Sequence, residues 1–200
     1  MTIINLGALS GYDGFRLAGV ASGDYTGFSI ASAGDINGDG FEDIIVGAYG
    51  ALSGAATNSG AAYVVFGQPF GFGASLDLSL LNGYNGFKLT NYDVNAVTGT
   101  SVSSAGDVNG DGFDDLIVGA PDANVGAYAD SGDAFIVFGH AGAFAASIDL
   151  TTLDGANGAL LQGDNTPYDS VGYSVSGVGD INGDGIDDMV VGALGDDTNG

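Results

Sequence analysis

Three nine-residue segments carry oxygen side chains at a spacing that suits a hard metal ion. They are residues 35–43, 107–115 and 180–188, and each follows the pattern Asp-x-Asn-Gly-Asp-Gly-x-x-Asp. Calcium takes about 6–8 oxygen ligands, and short Asp and Asn side chains on a tightly curled loop can converge on one ion. The glycines at places four and six allow the positive φ angles that such a curl needs. The segments therefore predict about three Ca²⁺ sites, one in each loop.

The candidate ligands follow from their places in the loop. Places one, three, five and nine offer side-chain oxygens. The apolar residue at place seven is expected to offer its backbone carbonyl and to turn its side chain inward. The predicted ligands are Asp35, Asn37, Asp39, Phe41 and Asp43 in the first loop, Asp107, Asn109, Asp111, Phe113 and Asp115 in the second, and Asp180, Asn182, Asp184, Ile186 and Asp188 in the third.

Two other interpretations of these segments compete with calcium binding. Asn-Gly and Asp-Gly are common pairs in tight hairpin turns, so a single copy could be a turn and nothing more. Three copies that keep all four oxygen places weigh against this. An EF-hand loop ends at place twelve in a bidentate Glu and enters a helix. Place twelve is Val46, Val118 or Val191 here, within β-rich runs, so we expect the loops to join strands.

The composition limits the classes of partner. The net charge is −23 and the basic residues are Arg16 and Lys88, so nucleic acid and anionic membranes are not expected partners. Three Ca²⁺ ions would add six positive charges and bring the net charge to −17. No apolar run approaches the roughly 18 residues of a membrane span, so membrane insertion is not expected. The N-terminal residues lack the basic and apolar regions of a signal peptide.

The similarity between the copies extends beyond the loops and gives a repeat of 72–73 residues. Each period holds four short apolar runs with turn residues between them, which is typical of propeller blades. Runs such as 43–46 and 63–66 are continuously apolar. This predicts strands covered on both faces, as stacked blades provide. The connectors are expected to hold a helical turn near 79–81 and near 151–153.

The predicted fold is therefore all-β, with four-stranded antiparallel blades and calcium loops in hairpins. We divide the chain into an outer strand of a preceding blade with its connector (1–26), a first blade (27–90), a second blade (91–162) and an incomplete third blade (163–200). Such a partial propeller of about two and a half to three blades cannot close alone, because propellers have about 4–8 blades. We expect further repeats of the same chain or of another chain beside it.

The repeat resembles the FG-GAP repeat of integrin α-subunit β-propellers and of large bacterial surface and secreted proteins. Gly-x-Ser-[Val/Ile] precedes each loop, Val-Gly-Ala follows it, and Val-Phe-Gly ends the next strand of the first two copies. The segment 119–121 matches the Gly-Ala-Pro element, while 47–49 and 192–194 differ at the last residue. The connectors look more like the bacterial branch. The resemblance implies Ca²⁺ in the loop between the first two strands of a blade, and a ligand surface on the opposite face.

The leading functional hypothesis is a calcium-stabilised module for extracellular adhesion, which binds a protein or a glycan. The variable loops, which the resemblance places opposite the metal loops, carry five tyrosines that either anchor a ligand or pack against their own loops: Tyr25, Tyr49, Tyr92, Tyr128 and Tyr168. An enzyme is not expected, because His140 is the single histidine and the chain has no cysteine nucleophile. The alternatives are a non-catalytic propeller part of a secreted hydrolase or lyase, and a structural spacer in a giant adhesin.

Overall fold

The computed structural model describes residues 5–54, 56–124, 126, 128–163 and 167–195. These residues form short strands and three single 3₁₀ turns, so the predicted all-β class is confirmed. The strands are β1 (Arg16–Ala18), β2 (Ile30–Gly34), β3 (Asp43–Ala48), β4 (Ala61–Val65), β5 (Ser75–Asp77), β6 (Gly86–Thr90), β7 (Val102–Gly106), β8 (Asp115–Ala120), β9 (Asp133–Val137), β10 (Ser147–Asp149), β11 (Gly158–Gln162), β12 (Val171–Gly179) and β13 (Asp188–Ala193).

Two antiparallel sheets of four strands confirm the predicted blades. Strands β2, β3, β4 and β6 form blade 1, and strands β7, β8, β9 and β11 form blade 2. Strands β12 and β13 form blade 3 as far as the described residues extend. In blades 1 and 2 the strands lie side by side in chain order, and a connector with a further short strand and a 3₁₀ turn precedes the fourth strand.

The connectors add a feature that the repeat pattern did not predict. Strand β10 lies in the connector after blade 2 and pairs in parallel with β6, the outer strand of blade 1. Strand β5 pairs in parallel with β1 in the same way. The predicted helical turns are confirmed one residue earlier, at Leu78–Leu80 and Leu150–Thr152. Each begins after an Asp whose carboxylate accepts the backbone N–H two residues ahead, a local cap.

The core lies within and between the blades. Strands β4, β8 and β9 are buried along their whole length, as their continuous apolar sequences require. Adjacent blades approach each other closely at a glycine of the second strand. A Cβ built on Gly47 would lie 2.0 Å from the carbonyl oxygen of Gly99, and one on Gly119 would lie 1.9 Å from that of Gly172. Because no side chain fits there, glycine permits the blades to stack backbone against backbone.

In the described ranges, no helix is long and apolar enough to cross a membrane.

Candidate metal centre

The three predicted loops connect the first and second strands of the blades. They lie between β2 and β3, between β7 and β8, and between β12 and β13, each within an antiparallel pair. The prediction that the loops join strands is therefore confirmed, and the EF-hand interpretation is excluded. A shift in register next to each loop, at Gly34, Gly106 and Gly179, turns the chain into the hairpin.

Places one, three and five bring their oxygens to the inside of the loop. In the first loop the backbone N–H of Asp39 donates to Oδ1 of Asp35 (2.9 Å) and to Oδ1 of Asn37 (2.8 Å). The Asn37 amide in turn donates to Oδ2 of Asp39 (3.1 Å). The second loop repeats this pattern with Asp107, Asn109 and Asp111. Three oxygen-bearing side chains therefore face one another around the same backbone amide.

The third loop keeps part of this arrangement. The N–H of Asp184 donates to Oδ1 of Asp180 (3.1 Å) and Oδ1 of Asn182 (2.9 Å). Its asparagine amide donates to Asp188 at place nine (3.4 Å). Hydrogen bonds from loop amides, led by that of Gly185, lower the pKa of Asp180, so this carboxylate is held in its charged form.

The carboxylate at place nine ties the loop to the third strand of its own blade. Asp43 is buried and accepts the N–H of Ile36 (3.1 Å) and of Gly67 (2.8 Å). Asp115 makes the equivalent bonds to Val108 (3.0 Å) and Gly139 (2.8 Å). Since Gly67 and Gly139 follow β4 and β9, place nine fixes the loop to the sheet.

The carboxylates at place nine of the first two loops have raised pKa values. Burial, with smaller contributions from the charges of Asp39 and Asp35, raises the pKa of Asp43 to about 7. Burial and the charges of Asp111 and Asp107 likewise raise the pKa of Asp115 to about 6. Both shifts show that negative charge is costly at this position without a positive partner. A divalent ion would supply that partner.

The side chain at place seven behaves differently from the prediction. A Cβ built on Gly38 would lie 2.3 Å from the ring of Phe113, and one on Gly110 would lie 2.8 Å from the side chain of Ile186. The place-seven residue therefore covers the loop of the preceding blade and does not turn into its own core. Phe41 is exposed.

Place eight is a structural position that sequence reasoning missed. Oδ2 of Asp114 accepts the N–H of Asp35 in the preceding blade (2.8 Å), and Oδ2 of Asp187 accepts the N–H of Asp107 (3.0 Å). From the sequence alone, the place-eight residues Glu42, Asp114 and Asp187 are expected to be solvated or to lie next to the ligands without binding the metal. The signal that could have found them is the acidic residue at place eight of all three loops. Its counterpart in blade 1 is Glu42, which accepts the hydroxyl of Ser32 (3.1 Å).

The donor set fits calcium in chemistry. It consists of oxygen atoms alone, from carboxylates, an amide and the carbonyl at place seven, and hydrogen-bonded carboxylate oxygens keep further lone pairs. In the part of the chain that the structure describes, no three His, Cys, Asp or Glu side chains group closely enough to hold a metal on their own. The asparagine and the backbone would therefore have to complete the site. Calcium binding by the fifteen predicted ligands stays a prediction.

The opposite ends of the strands carry a cluster of aromatic side chains. The ring of Tyr25 stacks on that of Tyr49 (4.9 Å between centroids), and Phe28 meets Tyr49 edge to face (4.7 Å). Beside them lies a cavity of about 200 Å³ whose lining includes Pro121 and Tyr173 from the next two blades. Of the other candidate anchors, Tyr92, Tyr128 and Tyr168 are exposed.

His140 lies at the same end of the blades as the predicted metal loops. Its ring stacks on that of Phe144, with 4.0 Å between ring centroids. It is exposed. Its backbone N–H donates to the carbonyl of Ile36 in the first loop (3.0 Å), so its place is fixed by contacts between blades.

Known proteins share this repeat. The FG-GAP repeat family matches residues 26–65 and 98–137. Integrin alpha-V of Gallus gallus is 31% identical over 96% of this chain, and integrin alpha-5 of Xenopus laevis is 31% identical over 92%. Integrin alpha-2 of Mus musculus is 39% identical over 50% of this chain. The chain spans 18%, 16% and 8% of the length of these three relatives. The likeness of the connectors to the bacterial branch of the family stays a prediction. Its sequence and its blades identify the chain as an FG-GAP repeat protein that is similar to the integrin α chains.

Proposed function

We propose that the chain is a calcium-stabilised interaction module of an extracellular or cell-surface protein, with structural metals and no catalytic role. The observation that carries the proposal is the set of three hairpins in which the backbone N–H at place five draws together the side-chain oxygens of places one and three. The second support is the likeness to integrin α chains. Export and the route of secretion belong to the same proposal.

The metals would be structural because the loops lie at the contacts between blades. The N–H of Asp35 bonds to blade 2, and Phe113 of blade 2 covers Gly38 of the same loop. A loop fixed by an ion therefore presents a fixed surface to the next blade. The chain has a net charge of −23, so bound cations also reduce its self-repulsion. Sites of this type outside cells bind calcium at about 10⁻⁴–10⁻³ M, which external calcium satisfies.

The first experiment measures metal binding and stability together. Titration calorimetry is expected to show about three Ca²⁺ per chain, and the thermal midpoint is expected to be higher in millimolar Ca²⁺ than in EDTA. Asp111→Ala removes a side-chain ligand and should lower the stoichiometry by one. The matched control Asp154→Ala removes an exposed carboxylate outside the loops and should leave the stoichiometry unchanged. Equal midpoints with and without calcium would refute a structural role for the metal.

The ligand surface is proposed to be the aromatic side of the blades, and the partner a protein or a glycan of the extracellular space. Tyr25 and Phe28 are large, exposed and next to a cavity. Rigid aromatic rings of this kind bind with little loss of conformational entropy. Because the chain is strongly acidic, neutral glycans and basic protein surfaces are favoured over anionic ones.

This surface is tested with the calcium-loaded chain on glycan and matrix-protein arrays. Tyr25→Ala with Phe28→Ala should abolish retention on any ligand found. Tyr84→Ala removes a ring of similar exposure near the metal loops and should leave retention unchanged. Loss of binding in the Tyr84 variant alone would place the ligand on the metal side. No retention on any array would favour the spacer, and cleavage of a glycan would favour the enzyme.

A further inference from the structure

A cavity of about 250 Å³ in blade 1 is lined by a carboxylate, a phenol and the single lysine of the chain. One wall is the segment 20–24, through which the chain enters the blade, and another is the segment 50–52, which follows β3. Tyr63 of β4 and Lys88 of β6 complete the lining. The N–H of Gly50 donates to the carbonyl of Asp24 (3.1 Å), so the two walls are tied to each other.

Asp24 and Lys88 line this cavity without pairing with each other. Asp24 is 6% exposed, and its carboxylate accepts the N–H of Ala21 (3.0 Å). The Lys88 ammonium lies 5.8 Å from the centre of the Tyr63 ring, and within the described ranges it forms no ion pair or hydrogen bond. Burial lowers the pKa of Lys88, an effect that the charge of Asp24 offsets only in part. Both charged groups therefore keep capacity for a further hydrogen bond inside the cavity.

The repeat itself does not require these three ionisable groups. Each of them corresponds, 72 residues further along the chain, to an apolar residue of blade 2: Asp24 to Ala96, Tyr63 to Phe135 and Lys88 to Leu160. Ala96 and Phe135 are buried in the apolar core, so a blade packs well without charge at these positions. The polar cavity is therefore particular to blade 1, which favours a role in binding over a role in packing.

The mouth of the cavity does not depend on where the sequence begins. Blade 1 stands before blade 2, yet the residues of blade 2 that correspond to the rim of the cavity remain exposed. Tyr92, the counterpart of Val20, is 51% exposed, and Leu160, the counterpart of Lys88, is 44% exposed. A blade in the equivalent place before blade 1 would therefore leave the cavity accessible from solvent.

We propose that this cavity binds one neutral sugar residue at the end of a glycan. Opposite charges in one small cavity disfavour a ligand with a net charge of either sign, and the net charge of −23 disfavours anions further. A sugar hydroxyl can both donate to Asp24 and accept from Lys88, and neighbouring hydroxyls on one ring can serve the two groups together. The volume lies below the about 300–1,000 Å³ of sites for drug-sized ligands, so it suits a single ring.

The cavity adjoins the aromatic surface to which the ligand is assigned above. A Cβ built on Gly50, in the wall of the cavity, would lie 2.8 Å from the ring of Tyr25. A glycan that lies on the rings of Tyr25 and Phe28 can therefore place its end residue in the cavity. The subsite rests on the proposed function for the glycan, and it adds the two residues that select a neutral sugar.

The test uses the single lysine as a probe of the cavity. In the calcium-loaded chain labelled with carbon-13 lysine, Lys88 is the only source of the lysine side-chain NMR signals. The methyl glycosides of glucose, galactose, mannose and N-acetylglucosamine are titrated separately, with alanine as a zwitterion and acetate as an anion for comparison. At least one methyl glycoside should shift the Lys88 signal until it saturates. No saturable shift with any of the four, or a shift with alanine or acetate alone, would overturn the proposal.

Variants then assign the bound glycoside to the two charged groups, with saturation-transfer NMR of the ligand as the measurement. Lys88→Met removes the ammonium, and Asp24→Asn keeps an acceptor for the N–H of Ala21. Each should weaken binding at least about tenfold, because a hydrogen bond to a charged group is lost. Arg16→Met and Asp154→Asn make the same changes in charge at exposed sites and should leave binding unchanged. Urea unfolding in calcium shows whether each variant is folded.

A variant of the aromatic surface separates the subsite from the proposed function. Phe28→Ala removes a ring that does not line the cavity, so it should leave binding of the methyl glycoside unchanged. Loss of glycoside binding in Phe28→Ala, with normal binding in Lys88→Met, would place the sugar on the aromatic rings. That outcome would overturn the subsite and leave the proposed function standing.

Discussion

Replacing Gly34 by alanine tests whether the place-eight carboxylate holds neighbouring blades together. Gly34 has a φ of 69°, which strains any other residue, and its built Cβ would lie 2.3 Å from Asp114. Gly179 has nearly the same φ, 71°, and apart from its chain neighbours none of the described residues lies within 4 Å of its built Cβ. Gly179→Ala is therefore a matched control, because it carries the same backbone strain without the contact between blades.

The structure sets the expected difference between the two variants. The left-handed conformation costs alanine about 1–2 kcal/mol at either position. At Gly34 the new methyl group must also displace Asp114, and overpacking of this kind costs about 1–3 kcal/mol. Displacement further weakens the bond from the Asp35 N–H to the carboxylate, and a hydrogen bond to a charged group contributes about 1.5–3 kcal/mol. If the hydrogen bond is lost completely, we expect Gly34→Ala to lose about 2.5–6 kcal/mol more unfolding free energy than Gly179→Ala.

The assay is urea unfolding in dilute solution, so that association of chains does not contribute. Asp114→Gly provides the decisive background, since it removes the whole side chain, including the Cβ that would itself lie 2.5 Å from the new methyl group. In that background Gly34→Ala should cost no more than Gly179→Ala, and the double-mutant cycle gives the coupling energy. Equal losses for Gly34→Ala and Gly179→Ala in the otherwise unchanged chain would refute the assigned role of Asp114.

Two further predictions concern buried carboxylates and are measured by urea unfolding in EDTA. Asp115→Ala leaves the N–H groups of Val108 and Gly139 without their acceptor and should cost about 2–6 kcal/mol, at about 1–3 kcal/mol for each group. Asp115→Asn keeps one acceptor oxygen and should lower the free energy of unfolding clearly less. An equal loss in both variants would contradict the role of these hydrogen bonds in holding the loop to the sheet. Burial, with a smaller contribution from the charge of Asp93, raises the pKa of Asp133 from 3.8 to about 6. Because the pKa of Asp133 is higher in the folded state than in the unfolded state, its protonation stabilises the fold at low pH, and this stabilisation is lost as the pH rises from the unfolded pKa to the folded pKa. Asn mimics the protonated side chain at every pH. Asp133→Asn should therefore raise the free energy of unfolding by about 1–3 kcal/mol above pH about 6 and leave it unchanged below pH about 4. A gain that does not depend on pH would contradict this reasoning.

Sequence reasoning located the loops and the blades because both depend on short-range patterns. Four-residue apolar runs and Asn-Gly-Asp-Gly turns recur at a fixed period, and each forms its hairpin from nearby residues. The pairing of β10 with β6 could not be read in the same way. It joins residues of two successive repeats, and nothing in three residues of connector shows which edge they meet. The role of place eight was missed for the same reason, because its hydrogen bond ends in a different blade.

The sequence alone determined the chemical character of the candidate site, since Asp, Asn and glycine at fixed places allow a curled, oxygen-lined hairpin and little else. Only the tertiary structure decided what surrounds that hairpin. Burial of Asp43 and Asp115, which raises their pKa values, arises from the sheet behind the loop. Stacking of the blades determines that Asp114 and Asp187 accept hydrogen bonds from the loop of the preceding blade. A hairpin is specified by neighbours in the chain, whereas the electrostatics and the burial of its side chains depend on groups that only folding brings near.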